Sequence, residues 1–262
     1  MLKSKEEYTL FYWPGIPGRG EFARLCFEAA KVPYNEVSEV PELLKLLSNK
    51  NVAGIAAPHF AVPVLGIHVD KDKWHYISQT PAILSFLAPR LGLLGDAAGL
   101  GGLERDVAVA QIQQLCATAL DLNTEIHDTH HPISVSSFYE DQQEEAKKRA
   151  ADFRKNRLPK FLGLFEVALR ENGAGADKKD GAKGRMWGAK TSVADLTVWH
   201  VLDGLLFAFP KCMQRLKDGG EYMHVFELHD EIKGELSQYL QSERRRPYSN
   251  GVFRHYPELD DE

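Results

Sequence analysis

Cysteine is scarce. Only Cys26, Cys116 and Cys212 occur among the 262 residues, an odd number lying far apart, with no CxxC pair or close zinc-ligand spacing. A disulfide framework is excluded and a reducing compartment is expected. Long apolar runs are missing too: no stretch reaches the roughly 20 apolar residues that a spanning helix needs. Residues 1–8 mix lysine and glutamate where a signal peptide would carry an apolar core. Membrane insertion and secretion are disfavoured. Excess positive charge is also lacking, since the formal net charge is -5, so nucleic acid is not an expected partner. What is present, 44% hydrophobic and 26% charged residues, is the composition of a globular chain long enough for two domains.

The order of patterns along the chain changes once. Residues 9–13, Thr-Leu-Phe-Tyr-Trp, predict a buried strand, followed by a loop punctuated by Pro14, Gly15, Pro17 and Gly18. Apolar Phe22, Leu25, Cys26 and Ala29 then recur at helical spacing, Pro33 closes that helix, and residues 34–37 predict a second strand. A short helix over 42–47, strands over 61–65 and 74–77, and a helix over 81–91 complete a mixed α/β unit, with Pro63 placed at a strand entrance. Glycines at 92, 95, 99, 101 and 102 break the pattern and predict a linker. Helical spacing dominates afterwards. Val107, Ile112, Leu115, Ala119, Leu122 and Ile126 predict one buried face of a helix ending before Pro132. A second long helix over 139–170 is bent or split by Pro159. Residues 173–190 read as a mobile surface loop, and Ser192 to Asp195 has capping-box spacing ahead of an apolar helix. Arg244 to Arg246 read as a basic helix end, where the dipole favours cations.

Three separated signals stand in a meaningful order: Tyr12 before a Gly/Pro loop and Arg19-Gly20-Glu21, then Val62-Pro63, then Gln79-Thr80 at a helix start. With the Ser192–Asp195 box, the chain resembles a cytosolic glutathione transferase of the tyrosine type over essentially its whole length. The resemblance implies an α/β plus all-α fold: a thioredoxin-like domain with a mixed sheet at 1–92 and an all-helical domain at 93–262. It implies glutathione as co-substrate, no metal, a small hydrophobic electrophile, a homodimer and a cytoplasmic location. It also implies site residues. Tyr12 matches the thiol-activating hydroxyl, Arg19 the arginine of the same loop, and Pro63 the cis-proline after Val62, whose backbone pairs with the cysteinyl part of glutathione. Gln79 and Thr80 match the pair that binds the γ-glutamyl carboxylate, and Asp195 the buried aspartate of the central helix. The Tyr12 loop is one residue longer than the familiar form, Thr80 stands for the commoner serine, and Thr191 replaces an apolar residue before the cap.

The chemistry asks for these groups. A cysteine thiol has a pKa of about 8.5, and bringing it to about 6.5 takes roughly 2.7 kcal/mol of preferential thiolate stabilisation. One charge-assisted hydrogen bond from Tyr12 supplies much of that. Arg19 adds positive potential or maintains the loop. Lys50 is positioned to meet the glycyl carboxylate, or is a solvated surface lysine. Cys26, inside an apolar face, reads as core. In the tract His127-Asp128-Thr129-His130-His131, helix capping or a polar cavity rim is favoured over zinc. Two functions share this pattern: transfer of glutathione to an electrophile, and a ligand-binding or regulatory protein that keeps the fold with little catalysis.

Overall fold

The computed structural model of the chain describes residues 6–48, 57–70, 73–174 and 184–261. Lys50 lies outside them. Strand β1 (Glu7–Phe11) buries Tyr8 and Leu10 and leads through a one-turn 3-10 segment, Gly18–Gly20, into α1 (Glu21–Ala30). That helix stops because Lys31 adopts a left-handed conformation (φ 54°) and the Val32 amide returns to the carbonyl of Phe27 at 3.0 Å. Strand β2 (Asn35–Val37) then pairs parallel to β1, which closes a β-α-β unit. After α2 (Val40–Leu47), β3 (Val64–Asp70) runs antiparallel to β1, β4 (Lys73–Ser78) antiparallel to β3, and α3 (Thr80–Arg90) follows. The sheet order is β2-β1-β3-β4, with α1 and α3 packed together.

The rest is helical: α4 (Gly102–His130), α5 (Gln143–Asp152), α6 (Leu158–Ala174), α7 (Val193–Ala208), α8 (Pro210–Gly219), α9 (Met223–Glu235) and the short α10 (Ser237–Leu240). The chain is therefore a mixed β/α domain followed by a helical bundle. The break expected near Pro159 is a π-helical turn at Phe153–Arg157, between α5 and α6. Helix α7 is buried on almost every side from Val193 to Leu202, which makes it the axis of the bundle, packed on α4, α9 and, across the domains, α1. Among the described residues no single helix is long and apolar enough to cross a membrane.

Two sequence expectations are corrected here. Val107 is 46% exposed, and Ala108 takes its place on the buried stripe that continues through Ile112. The glycine-rich connection is packed against the helical domain: Leu93 and Leu94 are buried, and the Leu93 carbonyl accepts the Val193 amide at 2.9 Å. Residues 175–183 of the expected loop lie outside the described residues, but the following residues are built in. Arg185 and Met186 are buried, and Arg185 pairs with Glu231 and Glu235, each at 2.6 Å.

Asp195 ties that segment down. Its fully buried carboxylate accepts from the amides of Met186 and Ser192 at 2.7 Å and from the Ser192 hydroxyl at 2.8 Å, completing the capping box of α7. Replacing Asp195 with alanine strands three buried donors and is expected to cost about 2–4 kcal/mol. Urea unfolding of the variant checks this; a loss under about 1 kcal/mol would mean that water replaces the carboxylate at little cost.

Candidate active site

Register brings the separated sequence signals to one place. Phe11 pairs with Val64, and Val64 with Ser78, so the next residues, Tyr12 after β1, Pro63 before β3 and Gln79 after β4, leave the sheet at the same end. Neighbouring strands are about 4.8 Å apart, so the three positions span about 10 Å. The Val62–Pro63 peptide is cis and Val62 is buried. Gln79 is exposed and has φ 71°, a left-handed backbone rare for a residue with a side chain and one that the surrounding structure must hold. Thr80 begins α3 with its hydroxyl buried and without a hydrogen-bond partner. An orphaned hydroxyl at a helix start is unfavourable unless a ligand completes it, and a carboxylate is the group such a position receives best. His59, on the approach to Val62, bonds Ser78 through Nδ1 at 3.0 Å.

Tyr12 is 6% exposed, and its hydroxyl accepts the backbone N–H of Arg19 at 2.7 Å. Burial pushes the hydroxyl above its ordinary pKa, and the Arg19 amide and the Arg24 guanidinium draw it only part of the way back. The phenol is thus protonated at neutral pH. With its oxygen occupied as an acceptor, its own O–H is free to donate. The loop around it is closely fitted: a Cβ on Gly18 (φ 45°) would stand 2.1 Å from the Tyr12 oxygen, and one on Gly20 2.6 Å from the ring. The Arg19 side chain donates to Thr124 of α4 at 2.9 Å. Tyr8, on the same strand, spends its hydroxyl on Glu6.

Several neighbours were not legible in the sequence. Arg24, fully buried, bonds the Pro17 carbonyl, Glu21 and Glu36, and stacks its guanidinium 5.7 Å from the Tyr12 ring. His200 of α7 stands with Nε2 3.3 Å from the Gly18 carbonyl; burial holds this imidazole down to about 4, so it is neutral and donates Nε2–H. The C-terminal segment contributes Gly251, Val252 and Arg254 to a cavity of about 290 Å³ that also touches Tyr12, Ile16, Gly18, Arg19, Thr124 and His127. Arg244 to Arg246 are not a solvated helix end: they reach Glu28 at 2.6 Å, Glu21 at 2.7 Å and Glu36 at 3.8 Å in the first domain. Only the i, i+3 relation of Glu21 and Arg24 within α1 was a local cue to any of this.

Comparison with known proteins agrees with this architecture. Residues 127–243 match the family model of the glutathione S-transferase C-terminal domain. Among solved structures, a sigma-class glutathione transferase of Fasciola hepatica superposes with a TM-score of 0.67 at 19% identity, over 94% of this chain and 99% of that one. A Pi-class glutathione S-transferase of Onchocerca volvulus gives 0.61 at 21% identity over 90% and 92%. Prostaglandin synthase D of Nilaparvata lugens gives 0.62 at 18% identity over 92% and 99%. The chain therefore has the fold of these glutathione transferases, a mixed sheet followed by a helical bundle, and residues 127–243 are similar to the C-terminal domain of glutathione S-transferases.

The fit of Tyr12 to its loop is testable. Gly18→Ala combines a left-handed φ (45°) with a clash on the hydroxyl, whereas Gly15→Ala shares a left-handed φ (75°) but meets no atom within 4 Å. Gly15→Ala is expected to cost about 1 kcal/mol, and Gly18→Ala at least 1 kcal/mol more. Equal shifts in thermal unfolding would show that the Tyr12 hydroxyl is not held where the structure has it.

Proposed function

We propose that the chain is a glutathione transferase: it binds glutathione across the end of the sheet and holds its thiol as a thiolate for attack on a small electrophile. The observation that carries this reading is the convergence of a donating Tyr12 hydroxyl, the Val62–Pro63 peptide and an unpartnered Thr80 hydroxyl at one sheet end. In this reading Val62 pairs with the cysteinyl backbone, Gln79 and Thr80 receive the γ-glutamyl carboxylate, and Lys50, outside the described residues, meets the glycyl carboxylate. The thiol proton leaves to solvent. Tyr12 then donates to the sulfur, while the Arg19 amide polarises the phenol by donating to its oxygen. Arg19 acts through its backbone and through its bond to Thr124, which keeps α4 against the loop. The thiolate forms its bond to carbon within the cavity bounded by Ile16 and Val252, and the leaving group departs with the electron pair. Arg19 and Arg254 on the same wall favour an electrophile with a polarised or anionic end beside its apolar part.

A cytoplasmic setting goes with this reading, because all three cysteines are free and buried. So does a homodimer: Phe60, next to the glutathione-binding peptide, is 91% exposed, an apolar anchor that a second copy would cover. Light scattering at micromolar concentration is expected to give twice the chain mass, and a monomer with undiminished glutathione affinity would reject the dimer.

The catalytic claim rests on one oxygen. Tyr12→Phe is expected to preserve folding and most glutathione binding, to raise the apparent pKa of the bound thiol, and to slow turnover about tenfold to several hundredfold, or about 1.4–3.5 kcal/mol. Thiolate absorbance followed through a pH titration, with chemistry-limited rates alongside, measures both. An unchanged titration curve and rate would remove Tyr12 from the activating role, and glutathione binding without turnover over several electrophiles would favour a ligand-binding protein.

A further inference from the structure

The histidine tract at the end of α4 has no part in the reaction above, yet it folds into a compact cluster. His127 lies in the last turns of the helix, His130 ends it and His131 follows. The ring centroids are 5.0 Å apart for His127 and His130, 5.0 Å for His127 and His131, and 4.7 Å for His130 and His131. One ring nitrogen from each lies within 4.8 Å of the other two. His130 is 1% and His131 8% exposed, and His127 is half-buried.

The protons of this cluster can be assigned from its neighbours. His130 Nε2 is 2.8 Å from the carbonyl oxygen of Val252, which only accepts, so that nitrogen carries the proton. His130 Nδ1 is then a lone pair. It faces Nδ1 of His131 at 2.6 Å, so the single proton between them belongs to His131. A bare Nδ1 on His130, the Nδ1 of His131 facing it and a third ring beside them bring three imidazoles close enough to share one ion once the intervening proton moves.

We propose that His127, His130 and His131 bind a divalent transition-metal ion of the zinc type, with solvent in the fourth position. Three neutral imidazoles select zinc, nickel or copper over the oxygen-seeking magnesium and calcium. One ring also has the outer partner that orients a metal-binding histidine, the Val252 carbonyl on the far nitrogen of His130, and the Asp128 carboxylate stands 3.7 Å from His127 Nδ1. Tetrahedral bonds of about 2.0–2.1 Å put ligand nitrogens about 3.3 Å apart, so the close His130–His131 contact opens by about 0.7 Å and His127 swings inward. The proton between the two Nδ1 atoms moves to His131 Nε2. No proton is released and the ion keeps its charge.

Arg254 lines the same cavity as His127, and its positive charge opposes a dication held beside that ring. This predicts weaker affinity than a carboxylate-containing site and gives the experiment a variant of opposite sign. Because His127 and Val252 line the cavity that holds Tyr12, an ion here would fasten the end of α4 to the C-terminal segment on that cavity's wall.

The test uses the full chain without an affinity tag, stripped of metal by chelation and titrated with cobalt(II) in the absence of glutathione, so that its outcome is independent of the transferase reading. Visible absorbance of tetrahedral intensity is expected to saturate at one ion per chain and to be displaced by zinc. His127→Gln, at a half-buried position, is expected to weaken binding at least about tenfold. Arg254→Gln is expected to tighten it. Lack of saturable binding by the wild-type chain, or cobalt binding unchanged in His127→Gln, would overturn the site; circular dichroism of both variants shows that the fold is retained.

Discussion

Glu21 opens α1 with its carboxylate fully buried, and the charges gathered around it hold the two domains and the Tyr12 loop in one arrangement. Arg24 meets it at 3.1 Å, the Tyr239 hydroxyl of α10 donates to it at 2.8 Å, and Arg245 Nη1 stands 2.7 Å away as an ion pair without an aligned hydrogen bond. Arg24 extends the network to Glu36 of β2 and the Pro17 carbonyl, and Arg245 extends it to Asp203 of α7. Taking such charges out of water costs several kcal/mol each, so the set is favourable only when complete. Each member therefore has to be where it is. Pro17 cannot drift without unbinding Arg24, and the loop that presents the Arg19 amide to Tyr12 begins at Pro17.

The same logic explains why the C-terminal segment belongs to the site. Asp203 also accepts from Tyr248 at 2.7 Å and from His229 at 3.2 Å, and these bonds with Arg245 hold its carboxyl down to about 2 against the opposing effect of burial. Residues 248–254 are thereby led across α7 towards the sheet end, where Gly251, Val252 and Arg254 complete the cavity. Phe253 packs onto Gly204 so closely that a Cβ there would lie 2.3 Å from its ring. The wall of the proposed electrophile pocket is thus a strap fastened by charge on one side and by a glycine socket on the other.

Much of this was legible in the sequence, for physical reasons that also define what was not. Strand and helix periods are local, so β1, α1, α3 and α4 were readable, and the Ser192–Asp195 box announced α7 by its own chemistry. Tyr12, Val62-Pro63 and Gln79-Thr80 were readable because each sits at an element boundary, where backbone demands restrict residue type. Arg185 and Arg244 to Arg246 were misread, because their partners are 46 or more residues away from Arg185 and in the other domain from the Arg244–Arg246 group. Charged residues in an aperiodic segment look solvated until the fold supplies opposite charges. The His127 to His131 tract was read as a cap or a polar cavity rim, and His127 does line the cavity; spacing along a chain does not show that the three rings converge or that the distant Val252 carbonyl pairs with one of them.

The central claim is that the end of the sheet where Tyr12, Val62 and Thr80 meet is built to hold glutathione, and the most direct measurement is amide resonance mapping of the isotope-labelled chain titrated with glutathione. Saturable shifts are expected to concentrate at Tyr12, Arg19, Val62, Gln79 and Thr80, with Val62 and Thr80 amides gaining protection from exchange as their partners arrive. Saturable shifts clustered elsewhere, or none at millimolar glutathione, would contradict it.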